Sequence, residues 1–258
     1  MADTSLCVVF VCNKNYFQNF LHTCNQLVTN GKYTGEICLV IGDDLKDDEL
    51  LRHEFIEKHN IIIKHFPEVE MTEEALNLNM TIDGHLQSNL TKRFQWHKLH
   101  LFNSYFKRWR YIFYIDCGVH IFSDVSPMLR AVKRNKLVAH SDAYPTYEWK
   151  LHNQFDKGAK ECYAQLEQDF DLEIDYFQTT IMLYDTRIIQ DNTFDNLYKL
   201  MLKYPITRTN DQGIIALYFT SVVPVFEQIQ TKNDDTYFYD YLSRNHGVNK
   251  YIMLKMHW

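Results

Sequence analysis

The sequence predicts a single α/β domain with a Rossmann-like, mostly parallel central sheet flanked by helices. Three observations predict it. An apolar run of strand length, residues 6–12, opens the chain, and strands then alternate with helices. The length of 258 residues with 46% hydrophobic residues is enough for one large domain with a full core.

The first part of the chain carries the clearest pattern. Residues 6–12 are apolar on both faces, which is typical of a parallel strand covered on both sides. Residues 13–30 place apolar side chains at three- and four-residue spacing, which predicts a helix. Residues 36–41 and 61–63 predict the next two strands, with a polar helix over 47–59 between them. This β-α-β-α-β order is the signature of a doubly wound sheet.

The remainder of the chain continues the alternation less regularly. We expect an acidic loop or lid over 67–88, a long helix over 89–109 and a fourth buried strand over 111–115. The later elements are expected as a strand over 119–122, a capped turn and helix over 123–134, a strand over 137–140, a helix over 157–170, a strand over 177–184, helices over 190–203 and 209–218, and a strand over 222–226. These elements indicate a domain over 1–226 and a C-terminal extension over 227–258 that packs on it.

Charge and missing motifs exclude several classes of function. Lys and Arg number 27 against 33 Asp and Glu, a net charge of −6, which counts against nucleic acid as the main partner because phosphate contacts need a basic face. No G-x-G-x-x-G follows the first strand, so a dinucleotide cofactor is not expected. No apolar run approaches the length of a transmembrane segment. Without a basic leader or a C-x-x-C pair, the sequence favours a cytoplasmic location.

The strongest positive signal is an acid at the end of a buried strand. The aromatic run 111–115 leads directly into Asp116, and ligands of open α/β sheets bind at the carboxyl ends of strands. A carboxylate there can hold Mg²⁺ or Mn²⁺, which in turn neutralises a diphosphate. The alternative is that Asp116 caps a turn in which Gly118 supplies a positive φ.

Four motifs in a fixed order carry a resemblance to a known family. They are Asn13-Lys-Asn-Tyr16 after the first strand, Y-I-F-Y-I-D-C-G-V around Asp116, Y-F-Q-T-T-I-M-L-Y from Tyr176, and N-D-Q-G from Asn210. Their order resembles that of GT-A nucleotide-sugar glycosyltransferases, in the layout of family eight (glycogenin and bacterial galactosyltransferases). The resemblance covers residues 5–226. It implies a GT-A fold, a nucleotide-diphosphate sugar as donor, with UDP-sugars favoured, and a glycan or other hydroxyl compound as acceptor.

The resemblance also implies a metal site, from which this sequence departs. The family has D-x-D after its fourth strand, and both acids ligate Mn²⁺ or Mg²⁺. The first acid matches Asp116, but Gly118 stands at the second position. His120 lies close by as a substitute ligand, although strand alternation suits a surface or core role equally well. His257 echoes the family's C-terminal metal-binding His, with a frayed terminus as the alternative.

The expected catalytic residues follow from the same resemblance. Gln178 matches the side chain that the family presents to the sugar, and Thr180 stands where the family has Gly. Asp211 and Gln212 match the family's acid–Gln pair, so Asp211 would meet sugar hydroxyls or the reacting face; the alternative is an ordinary acid at a helix start. The layout implies retention of configuration, with the leaving phosphate helping to deprotonate the acceptor. Asp142 or Asp211 would serve as base if the enzyme inverts.

Further candidates line the expected donor site. Asn13 and Tyr16 are candidates for gripping the nucleotide base, and Asp43 for the base or ribose. Arg93 and Lys98 precede the Asp116 strand and are candidates to balance the diphosphate charge where the metal site is incomplete. The alternative for both cations is plain solvation on a helix surface.

An aromatic stretch is the expected acceptor wall. Tyr144, Tyr147 and Trp149 can stack on the apolar faces of sugars. Anchoring of the loop to the core explains the same residues equally well.

Two rival functions accompany glycosyl transfer. Gly118 motivates a non-catalytic sugar-binding or assembly module on a degenerate GT-A fold. A nucleotidyltransferase is disfavoured because no Gly- and Arg/Lys-rich loop follows the first strand.

Overall fold

The computed structural model of the chain describes residues 5–82, 93–233, 235–241 and 248–256. The described strands are β1 (Leu6–Cys12), β2 (Glu36–Ile41), β3 (Ile62–His65), β4 (Tyr111–Ile115), β5 (Val119–Ile121), β6 (Leu137–Ala139), β7 (Ile181–Asp185), β8 (Phe226–Gln228), β9 (Lys232–Asn233), β10 (Thr236–Tyr241) and β11 (Tyr251–Lys255). The described α-helices are α1 (Phe17–Thr29), α2 (Glu54–Lys58), α3 (Glu73–Met80), α4 (Ser126–Leu129), α5 (Lys160–Asp169), α6 (Thr193–Lys203) and α7 (Asp211–Leu217). Short 3₁₀ helices span Lys14–Tyr16, Glu49–Arg52, Arg93–Phe102, Ser104–Arg108, Leu151–Gln154, Thr186–Ile188 and Val248–Lys250, and a π-helix spans Tyr218–Val222.

A seven-stranded sheet in the order β3-β2-β1-β4-β7-β6-β8 forms the centre of the described chain. Strands β1 to β4 are parallel, β7 runs antiparallel to β4 and β6, and β8 is parallel to β6. The predicted mostly parallel central sheet is therefore confirmed. The strands that carry the clearest apolar runs, β1 and β4, lie side by side in its middle.

Strand β1 is covered on both faces, as its continuous apolar run predicts. Cys7, Val9 and Val11 pack into one core cluster, whereas Val8 and Phe10 pack into the other. Successive side chains of a strand point to opposite faces, so an apolar residue at every position requires a core on each side. Helix α1 packs its buried face on the second cluster.

A second sheet, in the order β5-β11-β10-β9, lies beside the carboxyl end of β4. Strand β5 follows β4 after a short turn and pairs antiparallel with β11, so Lys255 lies opposite Val119. Strand β8 begins at Phe226 and pairs with β6 in the central sheet. Residues on both sides of the predicted boundary at 226 are thus joined by backbone hydrogen bonds; the boundary itself stays a prediction.

The single helix expected over 89–109 is wrong for the described residues. Two 3₁₀ segments, Arg93–Phe102 and Ser104–Arg108, take its place. Asn103 separates them with an extended backbone, and its side chain accepts a hydrogen bond from Tyr105 N. Residues 96–102 are all buried, so this segment is enclosed rather than amphipathic, and local spacing could not identify its geometry.

Other elements also differ from expectation; the strand expected over 222–226, for example, begins only at Phe226 as β8. Helix α3 lies inside the stretch 67–88, which was expected as a loop or lid. Strand β7 begins at Ile181 instead of 177, because residues before it bond outside the ladder: Gln178 N donates to the His140 carbonyl at 2.8 Å. This early departure turns 178–180 toward the carboxyl end of β4.

Aromatic side chains stack on two buried imidazoles, His97 and His100, of the 3₁₀ segment Arg93–Phe102. His100 stacks between Phe66 and Phe194 with centroid distances of 4.5 and 4.6 Å, and His97 stacks on Phe94 at 4.7 Å. Nε2 of His97 donates to the Ile41 carbonyl. Burial lowers the pKa of His97 to about 3 and that of His100 to about 4.

The buried imidazoles predict acid sensitivity. In the unfolded chain the two imidazoles are protonated near pH 6.5, whereas in the folded chain they stay neutral down to about pH 4. The free energy of unfolding therefore has its highest value above pH 6.5 and decreases as the pH falls below 6.5. We expect His100→Gln, measured by urea unfolding, to lose about 2 kcal/mol less than the wild type between pH 7.5 and pH 5. Gln18→Ala, at an exposed side chain that does not titrate, is the control and should follow the wild type. Identical pH dependence of His100→Gln and wild type would contradict this account.

Candidate functional site

A cavity of about 1030 Å³ opens at the carboxyl ends of β1 and β4. The central sheet forms its floor, and the second sheet forms one wall. Among the groups that line it are Asn13, Tyr16, Gln95, Lys98, Asp116, His140, Asp142, Tyr144, Trp149, Gln178, Thr179, Asp211, Gln212, Tyr239, Asp240 and Lys255. The motifs of the sequence, far apart along the chain, therefore meet in one place.

Three charged side chains form the centre of the cavity. Lys98 Nζ lies 3.1 Å from Asp116 Oδ1 and 3.4 Å from Asp211 Oδ2. The hydroxyl of Tyr114 also donates to Asp116 Oδ1, at 2.5 Å. Lys255 Nζ lies 3.7 Å from the other carboxylate oxygen, Asp116 Oδ2. Asp116 thus has a cation beside each of its oxygens.

The pKa values of these groups follow from burial and from one another. Burial raises the pKa of Asp116, but Lys98, Lys255 and the Tyr114 hydroxyl outweigh it and hold the pKa below its usual range. Burial raises the pKa of Asp211 above its usual value, and Lys98 offsets only part of the effect. Burial lowers the pKa of Lys98, yet the two carboxylates outweigh it and raise the pKa above the ordinary lysine value. Lys98 is therefore a permanent cation.

The turn after β4 exposes the Asp116 side chain to the cavity. Gly118 adopts φ 90°, which favours glycine, and its N–H donates to Thr23 Oγ1 at 3.0 Å. The turn is closed by backbone, since Val119 N donates to the Asp116 carbonyl at 3.2 Å. The Asp116 carboxylate is thereby left for Lys98, Tyr114 and Lys255.

The segment before β7 and the start of α7 are locked together. Thr179 Oγ1 donates to Asp211 Oδ2 at 2.6 Å, and Gln212 Nε2 donates to Gln154 Oε1 at 2.8 Å. Gly213 allows this approach, because a Cβ at that position would lie 2.6 Å from Thr207 Cγ2. Asp211 is therefore oriented by neighbours and is more than an acid at a helix start.

A polar group lies on the side of the cavity nearest the second sheet. Gln178 Nε2 donates to Asp142 Oδ2 and Tyr239 OH donates to Gln178 Oε1, both at 3.4 Å. Asp240 Oδ2 accepts from the Tyr251 hydroxyl at 3.0 Å. Burial lowers the pKa of His140, with Asp240 and Asp142 opposing it. Carboxylates, an amide and aromatic hydroxyls in one wall can bind several hydroxyl groups of a ligand.

Two of the aromatic acceptor candidates face the cavity. Tyr144 and Trp149 line it and are 39% and 42% exposed. The Tyr147 side chain is outside the lining; its ring meets Tyr144 edge-on at 5.8 Å, and its N–H donates to the Ala143 carbonyl. Tyr147 therefore supports the ring of Tyr144.

Several sequence candidates lie away from the cavity lining. Asp43 accepts hydrogen bonds from His65 Nε2 and Glu68 N, which fastens the chain after β3. Arg93 is exposed, and the His120 ring packs against His22 at 5.6 Å. Asp43, Arg93, Gly118 and His120 are absent from the described lining. His257 lies outside the described residues.

Other residues that line the cavity were not predicted from the sequence. Lys255, Tyr239 and Asp240 come from the C-terminal segment, and Gln95 from a 3₁₀ helix. One signal was present: Lys255 is a basic residue at the end of the apolar run from Tyr251. Its neighbourhood depends on the pairing of β11 with β5, which no local pattern reveals.

Comparisons with known proteins identify the fold. No family model matches the sequence, and no curated protein matches it. Among solved structures, a galactosyltransferase LgtC in complex with donor and acceptor sugar analogs has a TM-score of 0.58 and 11% identity over 90% of this chain and 75% of that chain. Core-mannan synthase A from Aspergillus fumigatus, in a Mn/GDP form, has a TM-score of 0.53 and 11% identity over 88% and 73%. Mouse xyloside xylosyltransferase 1 has a TM-score of 0.51 and 11% identity over 99% and 98%.

These likenesses confirm the predicted GT-A fold. Their low identity leaves the chemistry to be argued from the residues of this chain. In the part of the chain that the structure describes, no helix combines the length and apolar character needed to cross a membrane.

The described residues do not fit a divalent metal beside Asp116. Such ions take several oxygen or nitrogen ligands, but no group of three or more His, Cys, Asp or Glu is placed to hold one within the described ranges. Gly118 offers no side chain where the D-x-D pattern has its second acid. Lys98 and Lys255 place positive charge beside both oxygens of Asp116, which repels a further cation.

The central ion pairs predict a strong effect on stability. Lys98→Met leaves Asp116 and Asp211 buried without their shared cation, so we expect the free energy of unfolding to fall by about 3 kcal/mol in urea unfolding at pH 7. Lys107→Met removes the exposed pair with Asp191 and is the matched control, with a loss below about 0.5 kcal/mol. Equal losses in the two variants would show that the central pairs have no special structural weight.

Proposed function

We propose that the protein is a glycosyltransferase that moves a sugar from a nucleotide-diphosphate sugar, with UDP-sugars favoured, to a hydroxyl of a glycan or similar acceptor. One observation carries the proposal. Asp116 after β4, Gln178 before β7 and Asp211 at the start of α7 converge on one cavity at the carboxyl edge of a GT-A sheet. Ligands of such sheets bind at this edge.

In this proposal the donor lies along the cavity, with its base at the end of β1 and its sugar at the start of α7. Asn13 and Tyr16, which is 53% exposed, can hold the base by hydrogen bonding and stacking. The diphosphate then lies beside the lysines at Asp116. Asp211, fixed by Thr179 and Lys98, meets the sugar or its reacting carbon. This order places the bond to be broken at the centre of the cavity.

The chemistry needs stabilisation of a negatively charged leaving group. The bond from the sugar C1 to the diphosphate oxygen breaks, and a bond from C1 to the acceptor oxygen forms. Cations aimed at the leaving oxygens lower the barrier because charge develops there in the transition state. In a retaining reaction the acceptor proton passes to the leaving diphosphate; in an inverting one, Asp142 or Asp211 takes it.

We assign the acceptor to the aromatic side chains of the cavity. Tyr144 and Trp149 offer exposed aromatic faces, and Asp142, Gln178 and Asp240 offer hydrogen-bonding groups in the same cavity. Aromatic faces bind the apolar faces of sugars, while carboxylates and amides bind their hydroxyls. The two kinds of group together favour a carbohydrate acceptor.

A second candidate is a sugar-binding module without turnover. Gly118 and the pairing of Lys98 with Asp116 and Asp211 favour it, because the ammonium between the two acids already has partners within the protein. Release of sugar or of free nucleoside diphosphate from a donor separates the two functions.

The first test of the proposal is donor binding and turnover. UDP, GDP, ADP and TDP, each with and without Mn²⁺, should include at least one compound that raises the melting temperature, because a bound ligand stabilises the folded state. Its sugar conjugates should be hydrolysed or transferred. Asp211→Asn should lower kcat by about 100-fold or more because a charge at the reacting centre is lost.

Asp191→Asn is the matched control, because the Asp191 side chain is 95% exposed on the surface. It should keep wild-type turnover. No thermal shift with any of the four nucleotides would reject the proposal, and full activity of Asp211→Asn would reject the assignment of the reacting face.

The acceptor side is tested separately. Trp149→Ala, and Tyr144→Ala in parallel, should raise the acceptor KM by about tenfold in transfer to a panel of p-nitrophenyl glycosides, because each removes a stacking face. Donor hydrolysis without acceptor should stay within about twofold of wild type. Val222→Ala, at an exposed apolar residue outside the cavity lining, is the control. A rise in donor KM instead would place the aromatic pair on the donor.

A further inference from the structure

We propose that Lys255 takes the place of a divalent cation at the donor diphosphate, so that the protein binds its donor and transfers the sugar without a metal. The inference rests on the proposed function and specifies how that site handles phosphate charge. It is carried by the positions of Lys98, Lys255 and Asp116.

The Lys98 ammonium already forms ion pairs with two carboxylates of the protein. It lies between Asp116 and Asp211, and the Lys98 side chain is only 11% exposed. The two carboxylates together exceed its charge. Lys98 therefore holds the two acids in place, and a diphosphate needs another cation.

Besides Lys98, the cations among the described residues that line the cavity are Arg208 and Lys255, and Lys255 lies beside Asp116, with Nζ 3.7 Å from Oδ2. Its Nζ donates to the Cys117 carbonyl at 3.1 Å, and it lines the cavity with a side chain that is 21% exposed. An ammonium has three N–H donors, and the bond to Cys117 is the one hydrogen bond that the described residues give it. The 3.7 Å contact with Asp116 Oδ2 exceeds hydrogen-bond length. Two donors of Lys255 can thus turn to phosphate oxygens.

The backbone keeps Lys255 at this position. Residue 255 ends β11 and pairs with Val119 of β5, three residues beyond Asp116. The lysine therefore projects from a paired strand that adjoins the turn after β4. A charged group held by a strand costs less reorganisation on binding than one on a free loop.

The same arrangement opposes a metal ion at this point. Asp116 is the carboxylate that a divalent cation would use, and both of its oxygens face ammonium groups. Gly118 in the turn adds no side-chain ligand. Asp116 then acts as a positioning residue that holds Lys98 and Lys255, and the leaving diphosphate takes its stabilisation from Lys255.

Calorimetric binding in EDTA tests the inference. Wild-type protein should bind UDP or GDP in EDTA, and Mn²⁺ should change the affinity by less than about twofold. Lys255→Met should weaken the nucleoside diphosphate by about tenfold or more, because a charge-assisted contact is lost, and leave the nucleoside (uridine or guanosine) within about twofold. Lys255→Arg, which keeps the charge, should retain most of the affinity, and Lys107→Met should match wild type.

The outcomes separate this inference from the proposed function. Binding and transfer that require Mn²⁺, or unchanged diphosphate affinity in Lys255→Met, would overturn the metal-free role of Lys255 while leaving glycosyl transfer intact. Failure of all nucleotides to bind, with or without Mn²⁺, would overturn both. If Lys255→Met does not fold, the Mn²⁺ dependence of wild type and the affinity of Lys255→Arg decide: Mn²⁺-independent binding kept by Arg supports the role, and any other result overturns it.

Discussion

The salt bridges of Lys98 to Asp116 and Asp211 are the interaction on which the rest of the site depends. Lys98 comes from the buried 3₁₀ segment, Asp116 from the end of β4 and Asp211 from the start of α7. An unpaired charge at this depth would be strongly unfavourable, so the Lys98 ammonium and the two carboxylates stabilise one another across the ion pairs. The pairing therefore joins three elements at the centre of the cavity.

Part of the site could be predicted from local sequence pattern, and part could not. The continuous apolar runs of β1 and β4 suit only strands covered on both faces, so the fold and the place of Asp116 follow from local pattern. The direction of a side chain on an irregular segment does not follow from local pattern. Lys98 lines the cavity, whereas Arg93 on the same segment is exposed at the surface. Asp43 accepts hydrogen bonds from His65 Nε2 and Glu68 N, partners that its position after β2 did not predict.

Long-range strand pairing sets the other limit of prediction from sequence. The second sheet brings Tyr239, Asp240 and Lys255 to the cavity through the register of β10 and β11 with β5. Nothing in the alternation of those strands tells which neighbour they meet, since a strand's period specifies faces and not partners. The residues missed in the sequence come largely from this pairing.

Strand β5 links the second sheet to the turn that follows Asp116. It leaves the turn at Gly118 immediately after Asp116, so the pairing of β5 with β11 and the exposure of the Asp116 carboxylate depend on the same few residues. A shift in this pairing by one residue would turn Lys255 to the other face of the sheet and remove its charge from the cavity. In a protein with a net charge of −6, this pairing gives the cavity a positive group whose place is set by the backbone. The C-terminal strands are therefore part of the cavity itself.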